Sequence, residues 1–176
     1  MKIIIRQEHQ NDHETVFKLI QTAFAEAEFS DHREQFLVER LRNSQAFIPE
    51  LSLVAEKDDA LVGHILLTRI HIEHNHQRFD SLALAPVSVL PRYQGQGIGG
   101  CLIMEAHQRA KAMGHRSVVL LGHAAYYPKF GYRPAHEFGI ELPFEVPKEN
   151  CMAIELVDQG LALVQGRVVY PKEFEG

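Results

Sequence analysis

Residues 84–113 contain a glycine-dense turn between a predicted apolar strand and a predicted amphipathic helix. Residues 84–90 predict the strand, and residues 99–113 predict a helix of about four turns. Each glycine inside a helix costs about 1 kcal/mol relative to alanine, so these glycines must serve the turn itself. The N–H groups of the turn and the positive end of the helix predict a site for an anionic group. The glycines are Gly95, Gly97, Gly99 and Gly100.

The same glycines also fit the dinucleotide-binding pattern G-x-G-x-x-G. Against that interpretation, the motif lies past the middle of the chain and no run of βαβ units follows it. The next strand, residues 116–122, also ends without an acidic residue for a ribose hydroxyl. No Gly-Lys-Ser/Thr follows the glycines, which excludes a nucleotide P-loop. A nicotinamide-dependent oxidoreductase is therefore disfavoured.

Another spacing of the same residues is Gln94-x-x-Gly97-x-Gly99, after a strand and before a helix. In that form the segment resembles the acetyl-CoA pyrophosphate loop of the GNAT superfamily of N-acyltransferases. A later block, residues 126–132, resembles the Tyr-x-x-x-Gly-Phe/Tyr element of the same superfamily. The resemblance extends over about residues 3–156, and within the superfamily residues 121–135 are similar to a bacterial group of predicted acetyltransferases, many without an assigned substrate.

The resemblance implies an α/β fold with a mixed, mostly antiparallel sheet, a central parallel strand pair and flanking helices. The 176 residues suit a single acyltransferase domain over residues 1–176. Strand-like runs at residues 51–57, 60–72 and 79–90 are joined by short polar turns, which predicts antiparallel neighbours. The strand–helix–strand unit around the glycine turn should be parallel.

The rest of the chain predicts two early helices and several late strands. Asp12 is placed to cap the first helix, and Asp31 with Glu34 has the spacing of a capping box for the second. A short helix near residues 125–130 and strands near residues 137–142 and 151–157 should follow. We expect residues 158–176 to add an edge strand or to pair between two copies of the chain in a homodimer.

Acetyl-CoA is the cosubstrate that the resemblance implies. The pyrophosphate would be bound by the glycine turn, and main-chain groups of a strand edge would bind the pantetheine and acetyl region. On that strand, the Val89 N–H would polarise the thioester carbonyl. Pro86 lacks an N–H and should interrupt the strand ladder nearby. The predicted cofactor-binding residues are Val87, Ser88, Val89, Gln94, Gly95, Gln96, Gly97, Ile98 and Gly99.

The reaction implied is direct attack of a primary amine on the thioester. Tyr127 lies four residues before Gly131 and matches the general acid of the superfamily, with Tyr126 as the alternative. A phenol can hydrogen-bond to the departing thiolate or protonate it. The general base stays open: the candidates are His123, His64, Glu28 and a chain of waters.

Several alternatives concern partners rather than chemistry. A noncatalytic acyl-CoA sensor would use the same turn as an enzyme. The acceptor could be a small amine, a peptide N-terminus or a protein lysine. The net charge of −5 argues against a nucleic-acid partner, and no apolar run has the length of a membrane span or a signal peptide. We therefore expect a cytoplasmic protein without a membrane partner.

Two further residue groups invite a chemical interpretation. The histidines at positions 71, 74 and 76 cross a predicted turn without a firm fourth ligand, so no metal site is predicted. Cys101 and Cys151 lack metal-ligand spacing, and we expect both to be buried free thiols.

Overall fold

The computed structural model describes residues 2–175, in which nine strands form one mixed sheet. Three α-helices accompany it within those residues: α1 (His13–Phe24), α2 (Glu34–Arg42) and α3 (Ile98–Ala112). The strands are β1 (Ile4–Gln7), β2 (Phe47–Lys57), β3 (Ala60–His74), β4 (Gln77–Val89), β5 (Ser117–Leu121), β6 (Arg133–Pro134), β7 (Ile140–Glu141), β8 (Cys151–Glu155) and β9 (Gly166–Val169).

The sheet has the order β1-β2-β3-β4-β5-β8-β6, and the pair β4–β5 in its middle is parallel. The other pairs along this path are antiparallel. Strand β9 pairs antiparallel with the far end of β3 and parallel with β7. The predicted fold class is therefore confirmed. The C-terminal segment adds a strand, β9, within its own chain as predicted, but β9 lies between β3 and β7 and is therefore not an edge strand.

Two tight turns connect β2, β3 and β4. Asp58 and Asp59 have φ of 53° and 63°, and Asn75 and His76 have φ of 49° and 68°. Two successive residues with positive φ are typical of the type I′ turn, which joins antiparallel strands without splaying them, and Asp and Asn tolerate this conformation better than most residues. The second turn is shorter than predicted, since β3 continues to His74.

Helices cover both faces of the sheet. On one face α3 buries its predicted apolar side, and we call this the α3 face. On the other, the α1 face, α1 and α2 pack over β2 and β3. Each fully buried aliphatic side chain stabilises the fold by about 1.5–3 kcal/mol. The α3 residues buried are Leu102, Ile103, Ala106 and Ala110, and those of α1 and α2 are Val16, Leu19, Ile20, Val38 and Leu41.

The helix-capping predictions are wrong in their contacts. Asp12 precedes α1, but its carboxylate accepts hydrogen bonds from Arg6 at 2.7 and 3.0 Å instead of capping the helix. Before α2, Asp31 accepts a hydrogen bond from the Arg33 N–H, and Glu34 is itself the first helical residue. In both cases the carboxylate accepts a hydrogen bond from another group, the Arg6 guanidinium for Asp12 and the Arg33 N–H for Asp31.

The late elements are shorter than predicted. Residues 127–130 form a 3₁₀ turn, and the predicted strand at residues 137–142 is reduced to β7. A 3₁₀ turn precedes β7 and ends at Gly139, whose φ of 75° does not fit a strand, so the extended backbone begins only after Gly139.

The prediction that both thiols are buried is wrong for Cys101, which lies on the exposed side of α3, whereas Cys151 is buried.

Among residues 2–175, no helix combines the length and the apolar character that crossing a bilayer would require.

Candidate functional site

Strands β4 and β5 separate after a short parallel contact. They pair only at Leu82 with Val118 and at Ala83 with Val119. Beyond this point β4 continues to Val89 and β5 to Leu121 without pairing, so a gap opens between them. The β3–β4 ladder shifts register in the same region, opposite Pro86, as predicted for a residue that cannot donate to the ladder.

One edge of β4 therefore faces the gap. The Leu90 N–H donates to Val62 O at 2.9 Å, so this N–H points to β3. The N–H groups of successive residues in a strand point to opposite sides. Those of Val87 and Val89 therefore point towards the gap, and that of Ser88 points towards β3. On the gap side, Val89 O accepts a hydrogen bond from Gln94 Nε2 at 2.9 Å. The Val89 N–H thus points into open space beside the glycine turn.

The glycine turn lies where β4 gives way to α3. Gly95 and Gly97 have φ of 79° and 83°, the left-handed region that favours glycine. The first intrahelical bond of α3 is that from the Cys101 N–H to Gly97 O, at 3.0 Å. The N–H groups of Ile98, Gly99 and Gly100 precede it and lack a helical acceptor. This geometry is the one that the predicted anion site at a helix N-terminus requires.

A cavity of about 520 Å³ adjoins this turn. Of the predicted cofactor-binding residues, Val89, Gln94, Gly95, Gly97, Ile98 and Gly99 line it. Val87, Ser88 and Gln96 do not line it: Ser88 is buried on the α1 face, and Gln96 accepts a hydrogen bond from Lys57 at 2.7 Å. The cavity is also lined by residues outside that set: Tyr93, Gly100, Lys129 and Phe130. Gly100 belongs to the glycine turn, and Lys129 and Phe130 belong to the second motif block.

The glycines also allow the two motif blocks to approach each other. A Cβ atom on Gly99 would lie 3.1 Å from Tyr126 Oη, and one on Gly100 would lie 3.2 Å from the Phe130 ring. These contacts are tighter than ordinary packing, so larger residues would push the aromatic block away. The dense glycines therefore allow the aromatic wall to pack closely against the predicted anion site.

Tyr126 and Tyr127 occupy different surroundings. Tyr126 lines the cavity, with Lys129 Nζ 4.2 Å from its ring centroid. Tyr127 is 8% exposed and packs edge-on against Tyr126 and Tyr132, over Gly122. Burial raises the pKa of Tyr127 to about 12, and the neighbouring Tyr126 adds to the shift. The phenol is therefore protonated at neutral pH, as a proton donor must be; its role as general acid stays a prediction.

The candidate bases differ in exposure. His123 and Glu28 are exposed, whereas His64 is completely buried on β3. Burial lowers the pKa of His64 to about 4, so its ring is neutral at pH 7. Its Nε2 lies 3.2 Å from Ser52 Oγ and 3.7 Å from a carboxylate oxygen of Glu8.

Sequence reasoning missed the partners of His64. Glu8 is buried and pairs with Arg42 at 2.6 Å, and it accepts a hydrogen bond from Ser52 Oγ at 3.0 Å. Burial alone would raise the pKa of Glu8, but the hydrogen bonds and charges of its neighbours outweigh burial and hold it below its ordinary value. The residues of this cluster are far apart in the chain, so no local sequence motif indicates that they meet.

Comparison with known proteins gives the family of the chain. The family model described as an acetyltransferase (GNAT) domain matches residues 4–135. The Escherichia coli K12 protein YjhQ, named as an uncharacterised N-acetyltransferase, is 38% identical over 123 residues, which cover 69% of this chain and 68% of YjhQ. A second protein of the same strain, the uncharacterised N-acetyltransferase YhbS, is 27% identical over 147 residues, which cover 83% of this chain and 86% of YhbS.

Solved structures agree with this relationship. A GNAT family acetyltransferase from Brucella melitensis, crystallised with acetyl-CoA, is 31% identical and superimposes with a TM-score of 0.80, covering 98% of both chains. The Escherichia coli YhbS structure in complex with CoA shares the fold, with a TM-score of 0.89 at 24% identity over 100% of this chain and 93% of that one. By sequence and by fold, this chain belongs to the GNAT family of acetyltransferases.

Proposed function

We propose that this protein, as a single acyltransferase domain, transfers an acetyl group from acetyl-CoA to a primary amine. The observation that carries the proposal is the Val89 N–H, which faces the β4–β5 gap directly beside the cavity at the glycine turn. Such a placement continues an anion site into a strand edge with main-chain donors, one of which would polarise the thioester carbonyl. The Brucella melitensis relative, crystallised with acetyl-CoA, supports the choice of cosubstrate.

The cosubstrate would extend from the turn into the gap. Orphan N–H groups at residues 95–100 would bind the pyrophosphate, and the Lys129 ammonium would add positive charge at the cavity wall. The two amides of the pantetheine arm would pair with main-chain groups of Val87 and with Val89 O as an added strand does, which leaves the Val89 N–H for the thioester carbonyl. The thioester would then lie beside the gap edge of β4.

The chemistry then follows from the groups at that point. A neutral amine attacks the thioester carbon, the C–N bond forms and the C–S bond breaks. The Val89 N–H stabilises the negative charge on the carbonyl oxygen, a contribution of roughly 3–4 kcal/mol for oxyanion donors in other enzymes. Tyr127 donates a hydrogen bond or a proton to the departing thiolate.

The acceptor would approach from the α1 face. With the cosubstrate bound at the glycine turn and the Tyr126 wall on the α3 face, the other side of the gap would be left for the amine. Small amines, peptide N-termini and protein lysines all fit this description. Location in the cytoplasm and pairing of two chains stay predictions.

The test is acetyl-CoA-dependent release of free CoA with a panel of amines from each of the three classes. We expect turnover that requires an amine, with the acetylated amine detected by mass spectrometry. Tight binding of acetyl-CoA without turnover on any amine would contradict the enzyme and favour a noncatalytic sensor.

A further inference from the structure

The Tyr127 ring lies directly on the main chain of Gly122, the first residue after β5. A Cβ atom at position 122 would lie 2.9 Å from Tyr127 Cδ2 and closer still to Cε2, whereas non-bonded carbons pack at about 3.5–4.0 Å. Strand β5 borders the gap on the side opposite β4. Glycine at position 122 therefore provides the space that lets the phenol lie at the β5 side of the gap.

Other aromatic side chains confine the Tyr127 ring from its remaining sides. Tyr126 and Tyr132 contact it edge-on, with centroid distances of 5.1 and 5.7 Å. Tyr132 is itself buried, and its hydroxyl lies 2.7 Å from Nε2 of His107 on α3. The ring is thus held between the α3 layer and the main chain of Gly122, and a shift of Gly122 would change where the phenol lies.

Asn150 fixes the main chain of Gly122. It directly precedes β8, the strand that pairs with β5, and the Gly122 N–H donates to Asn150 O at 2.8 Å. In an antiparallel ladder the Asn150 N–H would return the second bond, but it donates to Pro147 O at 3.0 Å within a 3₁₀ turn. The Asn150 side chain replaces it, since Nδ2 donates to Gly122 O at 2.9 Å.

The chemistry of this contact requires an amide at position 150. The acceptor is a carbonyl, so the side chain must donate, which an ionised carboxylate or a methyl group cannot do. From Gly122 the chain turns at His123, whose carbonyl accepts from the N–H groups of Tyr126 at 3.1 Å and Tyr127 at 3.4 Å. The Asn150 amide therefore holds both the start of this turn and the surface on which the Tyr127 ring rests.

We propose that Asn150 is a positioning residue for Tyr127: its side-chain amide fixes Gly122, and Gly122 holds the phenol at the β5 side of the gap. The inference rests on the proposed function, in which Tyr127 donates to the departing thiolate. Asn150 does not line the cavity at the glycine turn, so it acts through Gly122. The position of a proton donor matters because a misplacement of about 1 Å can cost roughly 100-fold in rate.

The test compares Asn150→Ala and Asn150→Asp with the matched control Asn43→Ala. Asn43 Nδ2 also donates to a main-chain carbonyl, Glu39 O at 3.0 Å, but at the exposed C-terminal end of α2. We expect kcat to fall roughly tenfold in both Asn150 variants and to stay within about twofold in the control. Asn150→Asp keeps the shape of the side chain and removes only its donor. The Kd for acetyl-CoA, measured by calorimetry, should be unchanged in all three.

A double-mutant cycle separates positioning from a merely structural role. Tyr127→Phe already lacks the proton donor, so adding Asn150→Ala to it should lower kcat no further. A second tenfold loss in that background would overturn the inference, because the amide would then act on something other than the phenol. Equal kcat for Asn150→Ala and an active wild type would overturn the inference alone. A wild type that binds acetyl-CoA but acetylates no amine would overturn the proposed function and the inference together.

A second readout is independent of turnover. Proton NMR should show nuclear Overhauser effects between the Tyr127 ring and the Gly122 Hα atoms in the wild type and in Asn43→Ala. We expect these effects to weaken in both Asn150 variants. Wild-type intensities in Asn150→Ala would overturn the inference whatever the activity.

Discussion

At the scale of single residues, the two adjacent tyrosines show how packing gives similar side chains different surroundings. Tyr126 lines the cavity at the glycine turn, while Tyr127 is buried behind it, packed over Gly122. Spacing from Gly131 singles out Tyr127 in the sequence, but spacing does not reveal which ring is exposed. The buried phenol keeps its proton at neutral pH, which its proposed role as donor to the thiolate requires.

Replacing Tyr127 by Phe should therefore reduce kcat by roughly 100-fold, because the departing thiolate loses its donor. Since burial raises the pKa of Tyr127 to about 12, the wild-type kcat should not decline for lack of this proton up to about pH 10. The matched variant Tyr126→Phe should change the acetyl-CoA affinity more than kcat. Steady-state kinetics across pH checks both, and an unchanged kcat in Tyr127→Phe would remove the residue from the mechanism.

At the scale of elements, the strand–turn–helix unit from β4 to α3 was predictable because its signals are local. The apolar run, the glycines and the helical period all lie within residues 84–113, and the structure has each of them in place. The β7 segment and the capping contacts were not predictable, because they depend on partners elsewhere. Asp12, for example, pairs with Arg6 on a neighbouring strand instead of with its own helix.

The glycine turn can be tested without changing its charge. Gly97→Ala forces a side chain into the left-handed region at φ 83°, which costs about 1–2 kcal/mol and displaces the N–H groups of the turn. We expect the Kd for acetyl-CoA to rise by roughly tenfold. Gly114→Ala is the matched control, since Gly114 has φ of 93° and open space around it at the other end of α3. Both variants should lose similar stability, and only the first should lose affinity; equal affinities would contradict the role of the turn.

At the scale of the whole molecule, the cluster around Glu8 joins the N-terminal strand, α2, β2 and β3. Its contacts connect residues 34, 44 and 12 positions apart in the chain. Sequence reasoning named His64 only as one of several candidate bases and missed Glu8, Arg42 and Ser52. Such long-range pairing carries no periodic signal, and only the folded sheet brings the groups together.

Breaking this cluster should destabilise the protein strongly. Arg42→Met leaves the buried Glu8 carboxylate without its partner, and the loss of one member of a buried ion pair costs about 3–5 kcal/mol. Lys18→Met removes the exposed pair with Glu14 and should have little effect. Chemical denaturation of the two variants measures the difference. A loss in Arg42→Met no larger than in Lys18→Met would contradict the structural role of the cluster.

The buried histidines predict how stability changes with pH. Burial lowers the pKa of both His64 and His107 to about 4, so the unfolded chain binds more protons than the folded one between pH 6.5 and about 4. The free energy of unfolding should therefore fall as the pH drops through this window, by up to about 1.4 kcal/mol per pH unit for each histidine. Denaturation at several pH values checks this, and a His64→Gln, His107→Gln double variant with the wild-type slope would contradict it.

In the proposed function, backbone N–H groups of the glycine turn bind the pyrophosphate of acetyl-CoA. The most direct measurement is an amide NMR titration with acetyl-CoA, and with acetyl-pantetheine, which lacks that pyrophosphate. We predict saturable shifts of the Ile98, Gly99 and Gly100 amides with acetyl-CoA that are absent with acetyl-pantetheine. Binding of acetyl-CoA that leaves these amides unmoved, or the same shifts with both compounds, would contradict the claim.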